Sequence, residues 1–146
     1  GEPVADLEVR ASGLKGIEVP HELVPLAIDE FPVLFIAAAG AEGVTLVTGA
    51  EELRVKESDR IAVMAEGLAA LGAKAEALPD GMRIEGGRLK GGTIDSHGDH
   101  RIAMSFAVAS LLADGPILIR DVANVATSFP GFLDCAAAIG LAVGPE

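Results

Sequence analysis

The chain has 146 residues, half of them hydrophobic, with 18 Gly, 8 Pro, 5 Phe and neither Trp nor Tyr, which is enough for one buried core and excludes a disordered or collagen-like polymer. Its net charge is −11, from 22 Asp and Glu against 11 Lys and Arg, and such an acidic, ring-poor chain lacks the basic face and stacking platforms that nucleic acid requires. The single Cys excludes a disulfide scaffold and fits a reducing, cytoplasmic setting; with no basic leader at Gly1-Glu2-Pro3 and no apolar run near the ~18 residues of a membrane span, neither secretion nor a membrane partner is expected.

In chain order, Leu7-Glu8-Val9-Arg10 reads as a lead-in strand. Asp29-Glu30 precedes an apolar helix over 31–39, with Pro32 in its first turn and Gly40 and Gly43 after its end. Val44-Thr45-Leu46-Val47 is a β-branched strand broken at Gly49. The polar run Arg54-Val55-Lys56-Glu57-Ser58-Asp59-Arg60 leads into a second helix over 61–71, where Ile61, Met64, Leu68 and Leu71 keep helical spacing and Gly72 marks the stop. Ser58 or Asp59 is its N-cap. Lys74–Ala77 and Met82–Glu85 flank Pro79-Asp80-Gly81 as a hairpin. Gly86-Gly87 and Gly91-Gly92 read as turns, since they fit neither a P-loop nor a dinucleotide fingerprint.

Asp95-Ser96-His97-Gly98-Asp99-His100-Arg101 then precedes a third helix over 102–112, broken at Gly115, and Pro116-Ile117-Leu118-Ile119 is a strand. A fourth helix is expected over 129–139, with Ser128 as N-cap, Pro130 in the first turn and Gly140 at the stop. Within it Cys135 should be a buried, inert thiol, and the isolated His21 a satisfied loop or core residue. Setting Gly43-Val44-Thr45-Leu46 over Gly115-Pro116-Ile117-Leu118 brings Gly72 within about one turn of Gly140, so the chain holds two similar units, 1–86 and 87–146. The first helix of each is apolar nearly all round and should be buried on every side. The fold class is α+β or α/β, with helices inside and sheet outside.

The polar residues gather just ahead of the helices. Caps explain Asp, Ser and Thr there, but Lys56, Arg60 and Arg101 oppose the dipole of the helix starts they adjoin. Something negative must offset them, either an anionic ligand or the acids of the same segments. Asp95, His97, Asp99 and His100 also allow a metal-dependent phosphohydrolase, although His-x-x-His on a turn is weak support for a metal and structural or substrate-facing roles suit these residues better.

Glu52-Leu53-Arg54-Val55-Lys56-Glu57-Ser58-Asp59-Arg60 closely resembles the R-V-K-E-[ST]-D-R signature of the 5-enolpyruvylshikimate-3-phosphate synthases, and Asp99-His100-Arg101-Ile102-Ala103-Met104 resembles their D-H-R-[IM]-A-M signature. Ile28-Asp29-Glu30-Phe31-Pro32 is similar to the segment carrying the family's active-site aspartate, and Thr127-Ser128-Phe129-Pro130 to its last helix start. The resemblance implies an inside-out α/β fold built of βαβαββ units around buried helices, of which this chain would be a C-terminal part holding two of one domain's three units. It implies a cofactor-free transfer of the enolpyruvyl group from phosphoenolpyruvate to shikimate 3-phosphate, in a cleft whose other wall, the enzyme's N-terminal half, would be the chain's partner. The chain alone should then be inactive. Carried over residue by residue, Asp29 would be the base at the ring hydroxyl and Glu57 the proton donor to the methylene carbon. Lys56 would contact shikimate 3-phosphate, Arg60 and Arg101 would clamp phosphoenolpyruvate, and His100 would support them. No metal is implied. Where many relatives have a Lys before the final Ser/Thr-Phe-Pro, this chain has Thr127, and no phosphate-binding role is carried onto it. UDP-N-acetylglucosamine enolpyruvyl transferase, with the same fold and chemistry, is the nearest rival.

Overall fold

A computed structural model describes residues 1–144. Three helices occupy the middle: α1 (Phe31–Ala39), α2 (Arg60–Ala70) and α3 (His100–Ala109) pack on one another. Their buried Phe31, Phe35, Ile36, Ile61, Met64, Leu68, Ile102 and Phe106 form the centre of the core. Covering them is an antiparallel sheet, β1 (Val44–Val47), β2 (Lys74–Leu78) and β3 (Gly81–Glu85), in the order β1-β3-β2. A parallel pair, β4 (Gly92–Asp95) and β5 (Ile117–Arg120), completes the cover. Val47, Met82, Ile84 and Ile94 point inward from these strands. Helices inside and sheet outside is the arrangement expected. α3 is closest to burial on every side, whereas α1 leaves Val33 and Leu34 exposed.

The two halves repeat one connection. β4 and β5 are parallel and joined through α3. In the first half, residues 14–19 run parallel to β1, through Gly16 N donating to Glu42 O at 2.8 Å and Leu46 N donating to Ile17 O at 2.9 Å, with α1 between. The lead-in pairing is therefore made by residues 14–19, through isolated bridges at Lys15 and Glu18, and not by Leu7–Arg10, which has no β partner and lies exposed. A strand forms where a ladder is available, and the open edge of β1 is taken by the segment nearer α1. Both halves also share a helix stop. Gly72 (φ +81°) and Gly140 (φ +88°) each follow a helix in the left-handed region. At each, the next residue's N–H reaches back five positions, Ala73 to Leu68 and Leu141 to Ala136, both at 2.9 Å, a double-bonded stop that favours glycine.

Three further expectations need correction. The stretch expected as one helix from Phe129 is two, α4 (Ala123–Ser128) and α5 (Phe132–Ala138). Ser128 ends α4, and Gly131 caps α5 without a side-chain bond. Pro130 is the cause: it forces Phe129 out of helical geometry (φ −141°, ψ 79°) and so closes α4 instead of opening its successor. Cys135 is exposed, because only Ala136 of α5 is buried. Gly86 and Gly91 are close-approach positions and not turns, and Gly92 opens β4; a Cβ on Gly86 would meet Ala41 O at 1.7 Å and one on Gly91 would meet Pro116 O at 2.6 Å.

Candidate functional site

Three of the helix starts converge on one cluster. Asp29 lies at the end of a short 3-10 helix (Pro25–Glu30) that runs into α1. Lys56, Glu57 and Ser58 follow a second 3-10 turn (Glu51–Val55) and lead into α2. Asp59 is the N-cap of α2, accepting from Ala62 N at 3.0 Å. Arg54 holds this loop in place from below: Nη1 donates to Asp59 at 2.7 Å, Nε donates to Pro79 O at 2.7 Å, and Nη2 donates to Leu78 O. It therefore ties the loop to the β2–β3 hairpin. Asp99 is the N-cap of α3 and accepts from Arg101 N at 2.9 Å.

Arg60 is the hub. Its side chain is 1% exposed and meets three carboxylates. Nε donates to Asp99 Oδ2 at 2.8 Å, Nη1 donates to Asp29 Oδ1 at 3.1 Å, and Nη2 donates to Glu57 Oε2 at 2.6 Å. Lys56 Nζ stands 3.4 Å from Asp29 Oδ1 and also bonds Glu52. Arg101 reaches back across the cluster, where Nη1 donates to Asp29 O at 2.9 Å and to Glu30 Oε1 at 3.3 Å. The cluster has a floor and a rim. Arg60 and Asp99 (0% exposed) are sealed, while the Asp29 and Glu57 side chains are 46% and 53% exposed.

Asp29, Lys56, Glu57, Arg60 and Arg101 thus come together although 72 residues separate Asp29 from Arg101. His100, the first residue of α3, lies between Asp99 and Arg101 in the chain and is half-buried. Of the two offsets open for the cations, the local acids provide one in full. Thr127 lies in the exposed last turn of α4, which packs on α3. Reading the sequence missed what Asp99 does. Asp-His-Arg ahead of an apolar helix signals a cap, but the partner that makes this carboxylate a buried counter-charge is 39 residues away.

Electrostatics follow the geometry. Burial alone would raise the Asp99 carboxyl, but hydrogen bonding and charge from Arg60, the Arg101 N–H and the Ser58 hydroxyl outweigh it and hold it below the ordinary 3.8. Desolvation likewise pushes Asp29 upward, and Lys56, Arg101 and Arg60 pull it below 3.8. Glu52, more than Asp29, raises Lys56. A carboxyl whose folded pKa is depressed adds stability above its unfolded pKa and loses it as pH falls through the folded value. The stability advantage of wild type over Asp99→Asn should therefore be complete at pH 6–7, about two units above that pKa, and shrink below pH 3.8. Chemical denaturation at several pH values measures it, and a gap independent of pH would show that Asp99 is not held as a paired anion.

Among the described residues, no group of three or more His, Cys, Asp or Glu is placed to hold a metal. Asp95 accepts its own turn's His97 N–H at 2.8 Å, and Asp99 faces Arg60, so the metal reading of this loop has no ligand set. His21 is satisfied in its loop by the Thr48 hydroxyl at 3.1 Å.

A family profile described as EPSP synthase (3-phosphoshikimate 1-carboxyvinyltransferase) matches residues 1–135. The chain is 68% identical over 143 residues to the 3-phosphoshikimate 1-carboxyvinyltransferase of Nitrosococcus oceani, covering 98% of this chain and 32% of that protein. With the enzyme of the same name from Alkalilimnicola ehrlichii the identity is 67% over 144 residues, again covering 98% and 32%. An EPSP synthase structure from Acinetobacter baumannii superposes with a TM-score of 0.86 at 57% identity, covering 88% of this chain and 31% of that one. A second structure of an EPSP synthase from that organism gives 0.86 at 51%, covering 92% and 31%. The chain spans about a third of the length of these relatives, and the fold it shares with them is the inside-out α/β arrangement, with no helix among the described residues long and apolar enough to cross a membrane. With the profile covering nearly all of it, the chain belongs to the EPSP synthase family.

Proposed function

We propose that this chain supplies one wall of the active site of an enzyme that transfers the enolpyruvyl group from phosphoenolpyruvate to shikimate 3-phosphate, a step of aromatic amino-acid biosynthesis in the cytoplasm. Residues 1–86 and 87–146 serve as two repeat units of that wall, with positions 145–146 outside the described residues. The rest of the enzyme supplies the opposite wall. The observation that carries the reading is that two half-exposed carboxylates, from separate elements, meet the outer nitrogens of one buried arginine, with Lys56 and Arg101 beside them.

The reaction needs both features. A ring hydroxyl of shikimate 3-phosphate adds to the central carbon of phosphoenolpyruvate while a proton arrives at the methylene, giving a tetrahedral adduct. That adduct then expels phosphate and returns a methyl proton, restoring the double bond. Asp29 takes the hydroxyl proton and Glu57 handles the proton at carbon, general acid–base work for paired carboxylates. Lys56, Arg60 and Arg101 hold the carboxylate and phosphate charge through the adduct, the arginines by bidentate contacts that Lys does not make. His100 supports them. No cofactor takes part, the acidic, ring-poor composition argues against nucleic acid as a partner, and no membrane partner is assigned.

The test joins this segment to the remaining part of a close relative and measures phosphate release. Turnover with shikimate 3-phosphate and phosphoenolpyruvate is expected from the joined enzyme and none from the 146-residue chain alone. Turnover with UDP-N-acetylglucosamine as the acceptor instead would overturn the assignment.

A further inference from the structure

Arg60 has two usable edges. One, formed by Nε and Nη2, lies side-on against Asp99, with Nε to Oδ2 at 2.8 Å and Nη2 to Oδ1 at 3.4 Å. The other, formed by Nη1 and Nη2, faces the half-exposed Asp29 and Glu57. A bidentate contact fixes the plane of a guanidinium as well as its position. Asp99 is itself pinned, since Oδ1 accepts from Arg101 N and Ile102 N while Oδ2 accepts the Ser58 hydroxyl at 3.1 Å. Ser58 comes from the loop before α2 and Asp99 from the cap of α3, so the pair ties the two helix starts into one rigid piece.

We propose that Asp99, seconded by Ser58, is a positioning residue that holds the inner edge of Arg60 and presents its outer edge to the anionic substrate. This rests on the enolpyruvyl-transfer reading and adds to it two residues to which that reading gives no part. Asp29 and Glu57 occupy the outer edge as exchangeable partners, being exposed enough to take water instead, whereas Asp99 has no access to water and stays. The cap and the clamp are separable. Asn at 99 keeps one oxygen for the α3 cap but cannot also supply a charged, two-oxygen face to Arg60.

Two measurements decide it. On the 146-residue chain, exchange of the Arg60 side-chain Nε–H with water, followed by arginine-selective NMR, should be slow in wild type and accelerate at least about tenfold in Asp99→Asn, in line with the loss of a charge-assisted bond. In the joined, full-length enzyme, Asp99→Asn should raise KM for phosphoenolpyruvate about tenfold while KM for shikimate 3-phosphate stays within about twofold, and Ser58→Ala should raise the same constant about threefold, because a charge-assisted contact is lost at one substrate only. Ser58→Thr keeps the hydroxyl and should restore the wild-type value. Should Asp99→Asn fail to fold, the Ser58 pair carries the test. Unchanged phosphoenolpyruvate KM in Ser58→Ala, equal losses for both substrates, or no rescue by Thr would each overturn the positioning role. A joined wild-type enzyme that does not turn over would count against the functional reading instead, leaving the exchange measurement to judge the contact.

Discussion

Replacing Arg60 with Met should destabilise the chain by about 3–5 kcal/mol at neutral pH, the cost of stranding one member of a buried ion pair, and for a domain of this size lower the melting temperature by roughly 6–20 °C. Met matches much of the volume, so the loss is electrostatic and not a cavity. The stranded group is Asp99: Asp29 and Glu57 can turn to water, but Asp99 is fully enclosed. It keeps the Ser58 hydroxyl and the Arg101 N–H as donors, which argues for the lower end of the range. The sign of the pH dependence separates this account from general damage. Without Arg60 the burial of Asp99 is no longer outweighed, and its folded pKa rises. A group with a raised folded pKa contributes stability below its unfolded pKa and loses it as pH rises through the folded one. Arg60→Met should thus gain stability relative to wild type already on acidification toward pH ~4, whereas Asp99→Asn gains on wild type only below that, as the depressed carboxyl of the wild type titrates. The double variant Arg60→Met/Asp99→Asn should recover at least about 1 kcal/mol over Arg60→Met, since a neutral amide is far cheaper to bury than a carboxylate. Denaturant titrations at pH 4 and 7 measure all three. Additive losses in the double variant would mean that Arg60 and Asp99 are not a coupled pair.

What was legible in the sequence was local. The α1 bounds, β1, α2 and the β2–β3 hairpin follow from signals within a few residues: Pro32 at a helix start, Gly72 at a stop, Pro79-Asp80-Gly81 between two strands. The misreadings are non-local or turn on a residue with two meanings. Residues 14–19 bridge to the chain around β1 only because an edge is open there beyond α1, and no pattern inside the segment announces that. β4 is hidden by its glycines, which let the chain pass close to its neighbours and make a strand look like a turn. Pro130 suits either a helix's first turn or its stop, and here it acts through Phe129 as the stop of α4. In the site, the polar runs ahead of the helices marked where chemistry collects. That three of those helix starts share one buried guanidinium depends on how α1, α2 and α3 cross, which no spacing encodes. Arg54 illustrates the limit: it stands in the same polar run as Arg60, yet it holds a hairpin from below while Arg60 faces the rim.

In the joined enzyme, Asp29→Asn should lower kcat/KM on the order of 10²-fold or more, the usual loss when a positioned acid–base group is removed, with the fold intact because the side chain is half-exposed and no helix cap depends on it. The surroundings of Asp29 raise an apparent difficulty. Lys56, Arg101 and Arg60 outweigh its desolvation and depress its pKa, which guarantees ionisation at neutral pH but makes it a feeble base toward a hydroxyl. The same cations resolve it. They are the groups proposed to receive the carboxylate and phosphates of the substrates, and anions placed on them offset the positive field that holds Asp29 down. Its basicity therefore rises when substrate binds. The pH dependence of kcat/KM reports the free enzyme and that of kcat the substrate complex, so the acid limb of kcat should lie at higher pH than the acid limb of kcat/KM. In Asp29→Asn the displaced limb should vanish from the residual kcat profile. Coincident acid limbs in wild type would mean that substrate anions do not relieve Asp29, and near-normal turnover in Asp29→Asn would remove it from the proton path altogether.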